Sequence, residues 1–403
     1  MPGKSRAMRR AVIIDVVRSP FGRGRPEGIL HGIHPVDLYA QVIQALLSRT
    51  GIGMDLIEDV ITGCVLQVGE QSGNIGRNAV LAAGLPVSVP GVTVDRKCGS
   101  SQQSVDFAAQ AIISGACDVV IAGGVDMMSV VPMRSNRLGK DNRGSLLAAR
   151  FPNGTGDPGV SAELIAARWR IPRAEMDEYA LRSHALAARA EDRNVTARMI
   201  CRINRGSALD PIWVSKDEGV RRETSMEQLA RLKPSFFLPE VAARYPEITW
   251  GVTAGNASQI SDGASAALIV EQSVAERLGL RPRAAITEFA AVGDDPIMML
   301  TAIMPATRKL LGKARLAAED IGVFEVNEAF ASVVLAWLRE FRVDPTRVNP
   351  YGGAIALGHP VGASGVRLLG NLVMALEETG SRYGVQVMCE SGGMANSTLI
   401  ERL

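Results

Sequence analysis

The chain has 403 residues, of which 47% are hydrophobic and 21% charged, so it is long enough for two or three domains with a large buried core. Its 44 basic and 42 acidic side chains leave a net charge of +2, which disfavours a general nucleic-acid binder and a protein held at anionic membranes by charge. Five cysteines without a CxxC pair, and a start that lacks the long apolar stretch of a secretory signal, predict reduced thiols, a cytoplasmic location, no membrane-spanning segment and no metal site.

Short β-branched runs alternate along the chain with alanine-rich helical segments, which predicts an α/β protein with buried strands. The predicted strands are 11–16, 91–94, 118–121, 266–270 and 384–388. The predicted helices are 36–50, 101–114, 174–192, 305–311, 327–342 and 364–378, with Gly115 and Gly380 as C-terminal stops. The order of loop, helix and strand around Cys98 recurs around His359, so we expect two similar halves.

The segment between the predicted halves, roughly 128–250, differs in composition from the rest. It holds many arginines and a stretch rich in glycine and proline at 151–159. A solvated insertion with its own helices and a cover that contacts an anionic ligand both fit this pattern, because arginine side chains suit phosphate. The sequence contains no GxxxxGK[ST] or strand-coupled GxGxxG fingerprint, so we expect neither a P-loop nor an ordinary dinucleotide site.

Cys98 follows the predicted strand 91–94 and immediately precedes the helix predicted over 101–114. A thiolate at a helix N-terminus is stabilised by the helix dipole and by the free N–H groups there. Cys98 is therefore a candidate nucleophile. A small buried hydrophobic residue is the alternative interpretation.

His359 is one of only four histidines and lies in the glycine-rich segment 351–365. Such backbone is typical of sharp bends and of places where a ligand approaches closely. We therefore expect this histidine in a functional site rather than in a packed core.

Two further side chains lie where α/β proteins bind ligands. Cys389 ends the predicted strand 384–388 and enters a glycine turn. Asn327 precedes a predicted helix, so it is either the N-cap of that helix or a site residue. The cysteines without such surroundings, which we predict to be structural, are Cys64, Cys117 and Cys201.

Five segments, in this order, resemble the signature blocks of thiolases, the acetyl-CoA acyltransferases. They are 94–100 (VDRKCGS), 252–258 (VTAGNAS), 326–331 (VNEAFA), 349–360 (NPYGGAIALGHP) and 389–393 (CESGG). The resemblance runs from Ala11 to the C-terminus. Smaller details, such as CGSSQQ at 98–103, are more similar to bacterial and especially actinobacterial thiolases of fatty-acid or sterol side-chain degradation than to the small biosynthetic type.

This resemblance implies an α/β thiolase fold, with two similar βαβαβαββ halves in a five-layered α-β-α-β-α core. It implies an N-terminal half, 1–127 completed by 260–281, and a C-terminal half, 282–403. The inserted loop domain, 128–259, would cover coenzyme A. Homodimers or homotetramers, coenzyme A and acyl-CoA as substrates, and no permanently bound cofactor are also implied.

The resemblance further implies a role for each site residue. Cys98 would carry the acyl group as a thioester, His359 would deprotonate Cys98, and Cys389 would exchange the proton at the acyl α-carbon or the coenzyme A thiol. A water held by Asn327 would, with His359, polarise a substrate thioester oxygen. The N–H groups of Cys98 and Ser391 would form a second oxyanion hole. The residues implied to contact coenzyme A are Arg221, Ala254, Ser258, Ala329, Phe330 and His359.

The chemistry of these side chains supports the same function. Breaking or forming a carbon–carbon bond beside a thioester needs a nucleophile that is also a good leaving group, a base for an α-proton, and fixed dipoles facing two oxyanions. We therefore predict an acyl-CoA C-acyltransferase that acts as a 3-ketoacyl-CoA thiolase.

Three alternatives stay open at this point. One is an acetyl-CoA C-acetyltransferase that forms acetoacetyl-CoA. Another is a β-ketoacyl synthase, which is disfavoured because His359 is the only histidine after His184. The third, from a different class, is a thiolase-like scaffold that binds acyl-CoA with weakened catalysis.

Three positions depart from the thiolase pattern. Ser391 replaces the first glycine of the usual Cys-x-Gly-Gly-Gly run and would strain an oxyanion-hole amide if this position needs a positive φ. Ala302-Ile303 replaces a common Gly-Pro, and 157–159 (Asp-Pro-Gly) stands where short-chain enzymes often have His-Met-Gly. We expect the last two to line the acyl pocket or the pantetheine tunnel. Arg222, adjacent to Arg221, is an alternative contact for coenzyme A.

Overall fold

The computed structural model describes residues 9–403. The first eight residues, which belong to the predicted N-terminal half and to the stretch considered for a secretory signal, lie outside the described residues. The strands are β1 (Ala11–Arg18), β2 (Gly22–Arg23), β3 (Asp59–Gly63), β4 (Gly91–Val94), β5 (Val119–Met127), β6 (Ile203–Asn204), β7 (Trp213–Val214), β8 (Ser261–Glu271), β9 (Ala284–Gly293), β10 (Val323–Val326), β11 (Tyr383–Glu390) and β12 (Met394–Arg402).

Thirteen α-helices connect or flank these strands in the described chain. They are α1 (Pro35–Thr50), α2 (Ile75–Ala82), α3 (Ser100–Ser114), α4 (Gly144–Arg150), α5 (Pro158–Arg168), α6 (Arg173–Asp192), α7 (Met226–Ala230), α8 (Pro239–Arg244), α9 (Gln272–Arg277), α10 (Ile303–Ala314), α11 (Ala331–Phe341), α12 (Ala354–Leu357) and α13 (Ser364–Thr379). Within residues 9–403, none of these helices is both long and apolar enough to cross a lipid bilayer.

Ten strands form one mixed sheet in the order β10-β11-β12-β9-β1-β8-β5-β3-β4, with the short β2 beside β8. Strands β3, β4 and β5 are parallel, as are β10 and β11, and the remaining pairs are antiparallel. The N-terminal and C-terminal strands meet where β1 pairs with β9 over two residue pairs, Val12 with Ala285 and Ile13 with Ala284. The link between the two groups of strands is therefore short.

Three large apolar clusters separate the layers of the fold. One packs α1 and α2 against the N-terminal strands, and another packs α10 and α11 against the C-terminal strands, where the Phe324 and Trp337 ring centroids are 5.0 Å apart. The third cluster surrounds α3 and α13 and includes strand residues from both halves. The layers thus alternate as α-β-α-β-α, which agrees with the predicted fold class.

Glycine residues end two of the predicted helices, as expected. Gly115 and Gly380 both adopt the left-handed conformation, with φ of 80° and 69°, directly after α3 and α13. Each helix is followed by a short connection into a buried strand, β5 or β11. This placement fits the rule that glycine tolerates the left-handed C-terminal position.

The prediction that a helix begins at Asn327 is wrong, because α11 begins at Ala331 and Phe330 is its N-cap residue. The chain before it is held extended by a neighbouring segment: the Ser258 N–H donates to the Ala329 carbonyl at 2.9 Å, and the Ala331 N–H donates to the Asn256 carbonyl at 2.9 Å. These long-range bonds replace the local bonds of a first helical turn. Asn327 therefore does not cap a helix.

Candidate active site

Cys98 lies on a tight turn between β4 and α3. The preceding Lys97 has a φ of 51°, a conformation that is costly for a residue with a Cβ. Asp95 stabilises it by accepting the Lys97 N–H at 2.8 Å and the Lys97 ammonium group at 2.6 Å. The Cys98 side chain is half-buried and packs against an apolar cluster that includes Val361. The turn thus directs the thiol into the fold, towards the loop that carries His359.

Burial raises the pKa of the Cys98 thiol well above its usual range, and the neighbouring Cys389 and Glu390 raise it further. The N–H groups of Ser391 and of Cys98 itself act in the opposite direction but do not outweigh burial. The net effect of these surroundings on the Cys98 pKa is an increase, although Cys98 lies close to the start of α3. A base must remove the proton before Cys98 can attack a substrate.

The surroundings of His359 bear on its protonation state. It is buried in the loop between α12 and α13, and its N–H donates to the Gln259 carbonyl at 3.0 Å. Its Nδ1 lies 2.6 Å from the Ser364 hydroxyl oxygen, and that hydroxyl donates to the Pro360 carbonyl at 2.9 Å. The two contacts form together only when Nδ1 carries the histidine proton and donates it to the Ser364 oxygen while the Ser364 hydroxyl donates to Pro360, and we assign this tautomer.

The Nε2 atom of His359 consequently presents a lone pair. It is buried and has no hydrogen-bond partner within residues 9–403. Burial lowers the pKa of His359 to about 3, and the positive charge of Arg367 contributes to this shift. The imidazole is therefore neutral at physiological pH and able to accept a proton at Nε2.

Cys389 is the second-to-last residue of β11 and is fully buried beside Asn327. The Asn327 Nδ2 atom lies 3.9 Å from the Cys389 sulfur, and the Asn327 Oδ1 atom has no partner in the described chain. Burial raises the pKa of Cys389 to about 12, although the Asn327 amide group acts against this increase. The second thiol is thus also protonated at rest.

Close contact between α3 and α13 brings the site residues together from both halves. The Val366 N–H donates to the Ser101 hydroxyl at 3.2 Å, so the two helices begin side by side. Gly365 is needed at this crossing, because a Cβ there would clash with the backbone nitrogen of Gln102. As a result, Cys98 from one half faces the chain around His359 and Cys389 from the other.

Ser391 does not strain the turn after β11. The positive φ angles fall on Gly392 at 94° and Gly393 at 76°, and Ser391 is not among the residues with positive φ. A side chain at position 391 is therefore compatible with the turn. The Ser391 N–H acts on the Cys98 sulfur and lowers its pKa, as an amide placed for an oxyanion hole would.

The predicted coenzyme A residues fall into two groups. Ala254 is exposed and Ser258 is half-buried. Both belong to the segment whose Ser258 N–H donates to the Ala329 carbonyl, next to Phe330. The Phe330 ring meets the Phe236 ring edge to face, with centroids 5.8 Å apart. Ala329 and Phe330 are themselves buried, so among these predicted contacts only Ala254 and Ser258 are accessible beside the Asn327 segment.

Arg221 and Arg222 have different surroundings. Arg222 forms ion pairs with Glu191 at 2.7 Å and Asp192 at 2.9 Å. Arg221 has no carboxylate within 4.0 Å in the described chain, and its backbone N–H donates to Nδ1 of the buried His184 at 3.1 Å. Burial lowers the pKa of Arg221, and the charges of Arg23 and Arg25 lower it further. Of the two arginines, Arg221 is the one with an uncompensated charge.

The other two departures from the thiolase pattern have local structural roles. The Asp157 side chain accepts the Gly159 N–H at 3.0 Å at the start of α5 and pairs with Arg134. Ala302 and Ile303 are buried in the same apolar cluster as Cys389. Their contact with the acyl group remains a prediction.

Glu328 is a structural residue of the site that the sequence did not single out. Its buried carboxylate accepts the Ser183 hydroxyl at 2.6 Å, the Tyr179 hydroxyl at 3.0 Å and the Ile355 N–H at 3.2 Å. It therefore ties the segment after β10 to α6 and to the loop before His359. The only signal in the sequence is its position directly after Asn327.

Comparison with known proteins gives a consistent result over the whole chain. Residues 11–273 match the family model for the thiolase N-terminal domain, and residues 280–402 match that for the thiolase C-terminal domain. The chain is 46% identical to the steroid 3-ketoacyl-CoA thiolase FadA6 of Mycobacterium tuberculosis, over 100% of this chain and 96% of that protein. It is 39% identical to a 3-ketoacyl-CoA thiolase of Saccharophagus degradans, over 98% and 99% of the two chains. The crystal structure of the Bacillus anthracis acetyl-CoA acetyltransferase is similar, with a TM-score of 0.87, 35% identity and coverage of 99% and 100%.

Proposed function

The chain belongs to the thiolase family and is an acyl-CoA C-acyltransferase, and we propose that it cleaves 3-ketoacyl-CoA with coenzyme A through an acyl-enzyme on Cys98. The reverse Claisen condensation uses the same groups. The observation that carries this proposal is the hydrogen-bonded chain from His359 Nδ1 through Ser364 to Pro360, because it leaves the Nε2 atom of a neutral imidazole free in the loop whose Val361 belongs to the apolar cluster that Cys98 packs against.

In the first half-reaction, His359 Nε2 takes the Cys98 proton while the sulfur attacks the 3-keto carbon. The N–H groups of Cys98 and Ser391 stabilise the resulting oxyanion. The carbon–carbon bond then breaks, and its electrons form the enolate of acetyl-CoA. The protonated His359 and a water at Asn327 stabilise that enolate, and Cys389 gives it a proton at the α-carbon.

In the second half-reaction, coenzyme A releases the acyl group. The Cys389 thiolate takes the proton from the coenzyme A thiol, and the new thiolate attacks the thioester carbon on Cys98. The Cys98 sulfur leaves and recovers its proton from His359. Every group returns to its starting state, so the cycle needs no other cofactor.

We also propose that segment 128–259 covers the bound coenzyme A, in the domain arrangement given above. Arg221 has no carboxylate within 4.0 Å in the described chain, and the charges of Arg23 and Arg25 act on it, although those two arginines pair with Glu218 at 3.9 Å and Glu27 at 3.7 Å. The uncompensated charge of Arg221 suits the phosphates of the nucleotide. The surface formed by Ala254, Ser258 and the start of the α11 segment suits the pantetheine arm.

The acyl group is proposed to be larger than acetoacetyl. The similarity to a steroid 3-ketoacyl-CoA thiolase supports a bulky acyl chain, and the similarity to the Bacillus anthracis acetyl-CoA acetyltransferase supports the short alternative. A panel of 3-ketoacyl-CoA esters distinguishes the bulky from the short acyl group. It contains acetoacetyl-CoA, a straight medium-chain ester, a straight long-chain ester and an ester whose acyl group carries a steroid ring system.

The test of the function is coenzyme A-dependent cleavage of this panel, with intact mass measured after incubation with acetyl-CoA. The wild type should cleave at least one ester and gain one acetyl group, and Cys98→Ala should do neither. Cys201→Ala, which removes a cysteine outside the proposed site, is the control and should still gain the acetyl group. An acetyl adduct that persists in Cys98→Ala, or no turnover of any ester, would contradict the proposal.

We further propose a homo-oligomer in the cytoplasm. Strand β4, at the end of the sheet, has one unpaired edge, and Val92 on it is exposed, so a second copy could cover this edge. Light scattering coupled to size-exclusion chromatography should give a dimer or a tetramer, and a monomer at micromolar concentration would contradict this.

A further inference from the structure

The carboxyl group of Glu390 adjoins both thiol-bearing residues of the site. Glu390 follows Cys389 directly at the end of β11. Its Oε1 atom occupies the space beside the Gly99 Cα, where any Cβ on Gly99 would collide with it, and Gly99 follows Cys98. A single acidic side chain from the C-terminal half thus packs beneath the turn that presents Cys98 from the N-terminal half.

This carboxyl group is buried without compensation. Glu390 is 0% exposed, and neither of its oxygens has a hydrogen-bond partner within residues 9–403. A buried carboxylate without partners is strongly unfavourable, whereas a protonated carboxylic acid is tolerated. Packing alone therefore favours the neutral form.

The surrounding charges support the same conclusion. Burial raises the pKa of Glu390 to about 9, the charges of Asp106 on α3 and Asp95 before Cys98 add to this increase, and Arg96 opposes it. Arg96 forms no ion pair with Glu390 within 4.0 Å in the described chain, so its attraction does not prevail. The charge of Glu390 acts on both thiols, Cys98 and Cys389.

A charge on Glu390 would act directly on the reaction. Negative charge at this position raises the pKa of both Cys98 and Cys389. Both thiols must become anionic during the proposed cycle, so this charge would hinder each ionisation. The same charge would oppose an oxyanion held at the neighbouring Ser391 amide. The proposed chemistry is therefore favoured only while Glu390 is neutral.

We propose that Glu390 is a positioning residue for both thiols: it supports the Cys98 turn through Gly99 and, by its own protonation, controls how readily the two thiols ionise. This inference rests on the proposed roles of Cys98 and Cys389. It adds a residue that acts through the Cys98 turn and through its own charge, and it predicts an alkaline limit to reactivity that comes from a carboxyl group rather than from a thiol.

The test compares wild type with Glu390→Gln, which keeps the size and remains neutral at every pH. The rate of Cys98 alkylation by iodoacetamide is measured from pH 6.5 to 10.5 by mass spectrometry, and acylation by acetyl-CoA is measured at the same pH values. Glu319→Gln, at an exposed position, is the matched control and should follow the wild type.

Below pH 8, the alkylation rates of wild type and Glu390→Gln should agree within about twofold, because Glu390 is then neutral. Above about pH 9, the variant should react faster by up to about tenfold, which corresponds to the shift of about one pKa unit that removal of a nearby like charge usually gives. Acylation should show the same divergence.

Two results would overturn the inference. Parallel curves at all pH values would mean that the carboxyl group does not control the thiols, and a difference already present at pH 7 would mean that it is charged there. Failure of the proposed function would give a different result from either of these: the wild-type protein would form no acyl adduct and turn over no ester. If Glu390→Gln does not fold, Gly99→Ala, which forces the carboxyl group to move, should shift the wild-type alkylation curve, and an unchanged curve would equally overturn the inference.

Discussion

The Nδ1 atom of His359 lies 2.6 Å from the hydroxyl oxygen of Ser364, five residues later at the start of α13. That hydroxyl is itself held by the Pro360 carbonyl at 2.9 Å, so the loop that carries the histidine also determines which ring nitrogen bears the proton. The base and the group that orients it are thus parts of one short structural unit.

Ser364→Ala should slow acylation of Cys98 by about fivefold, because loss of a hydrogen bond worth about 1 kcal/mol frees the ring to rotate and to exchange tautomers. Stopped-flow measurement of acylation with acetyl-CoA checks this. Ser114→Ala, which removes a hydroxyl that bonds a carbonyl of the preceding turn in α3, is the control. An acylation rate in Ser364→Ala equal to that of the control would show that Ser364 does not orient His359.

The low pKa of His359, about 3, predicts how acylation depends on pH. Because the folded protein keeps this imidazole neutral far below the ordinary value of about 6.5, acylation should change less than about twofold between pH 7.5 and 5.5. Circular dichroism at each pH separates this effect from unfolding. A decrease in the rate with an apparent pKa near 6.5 in the folded protein would contradict the assignment of a neutral, buried base.

Unfolding should depend on the same group. The unfolded chain protonates His359 below about pH 6.5 while the folded chain does not, so His359 should make the free energy of unfolding decrease as pH falls from about 6.5 towards 3. His359→Asn should be less sensitive to acid over this range than wild type in urea unfolding. Equal pH dependence of the two proteins would contradict the low pKa.

Arg221 and Arg222 should differ in their effect on coenzyme A. Arg221→Ala should raise the KM for coenzyme A by about tenfold with little effect on kcat, because it removes a charge that has no carboxylate partner. Arg222→Ala breaks surface ion pairs with Glu191 and Asp192 and is the matched control. Equal KM values for the two variants, or an effect confined to kcat, would exclude this role for Arg221.

The regular elements of the fold were predictable because their signals are local. The apolar runs that predict strands 91–94 and 384–388 recur in β4 and β11, and glycine marks the ends of α3 and α13. The start of α11 was not predictable, since Ala329 and Ala331 bond to a segment some seventy residues earlier in the chain. No local pattern carries information about that pairing.

Part of the candidate site was predictable from the sequence, and part depends on contacts that form only on folding. Cys98 and His359 stand out because a thiol and an imidazole are rare in loops next to glycine. Ser364 and Glu390 do not stand out, because the role of each comes from a contact that exists only after folding: Ser364 with the histidine ring, and Glu390 with Gly99 of the opposite half.

Cys389 is the residue whose role the geometry constrains most, and Cys389→Ala should separate the two half-reactions. Cys389 is fully buried beside Asn327, whose Nδ2 atom is 3.9 Å from its sulfur, whereas Cys98 is half-buried on the opposite half of the fold. A thiol held beside the amide that would support the enolate is suited to exchange the α-proton rather than to carry the acyl group. The variant should therefore still acquire an acetyl group on Cys98, but its rates of thiolysis and condensation should fall by about 10²–10⁴-fold, the usual contribution of a positioned acid or base.

Two measurements check this prediction. Intact mass reports the acetyl adduct, and a spectrophotometric assay of the 3-ketoacyl thioester reports turnover, with Cys117→Ala as the control. A folded variant that does not acylate, or that turns over at the wild-type rate, would move the proton transfer to His359.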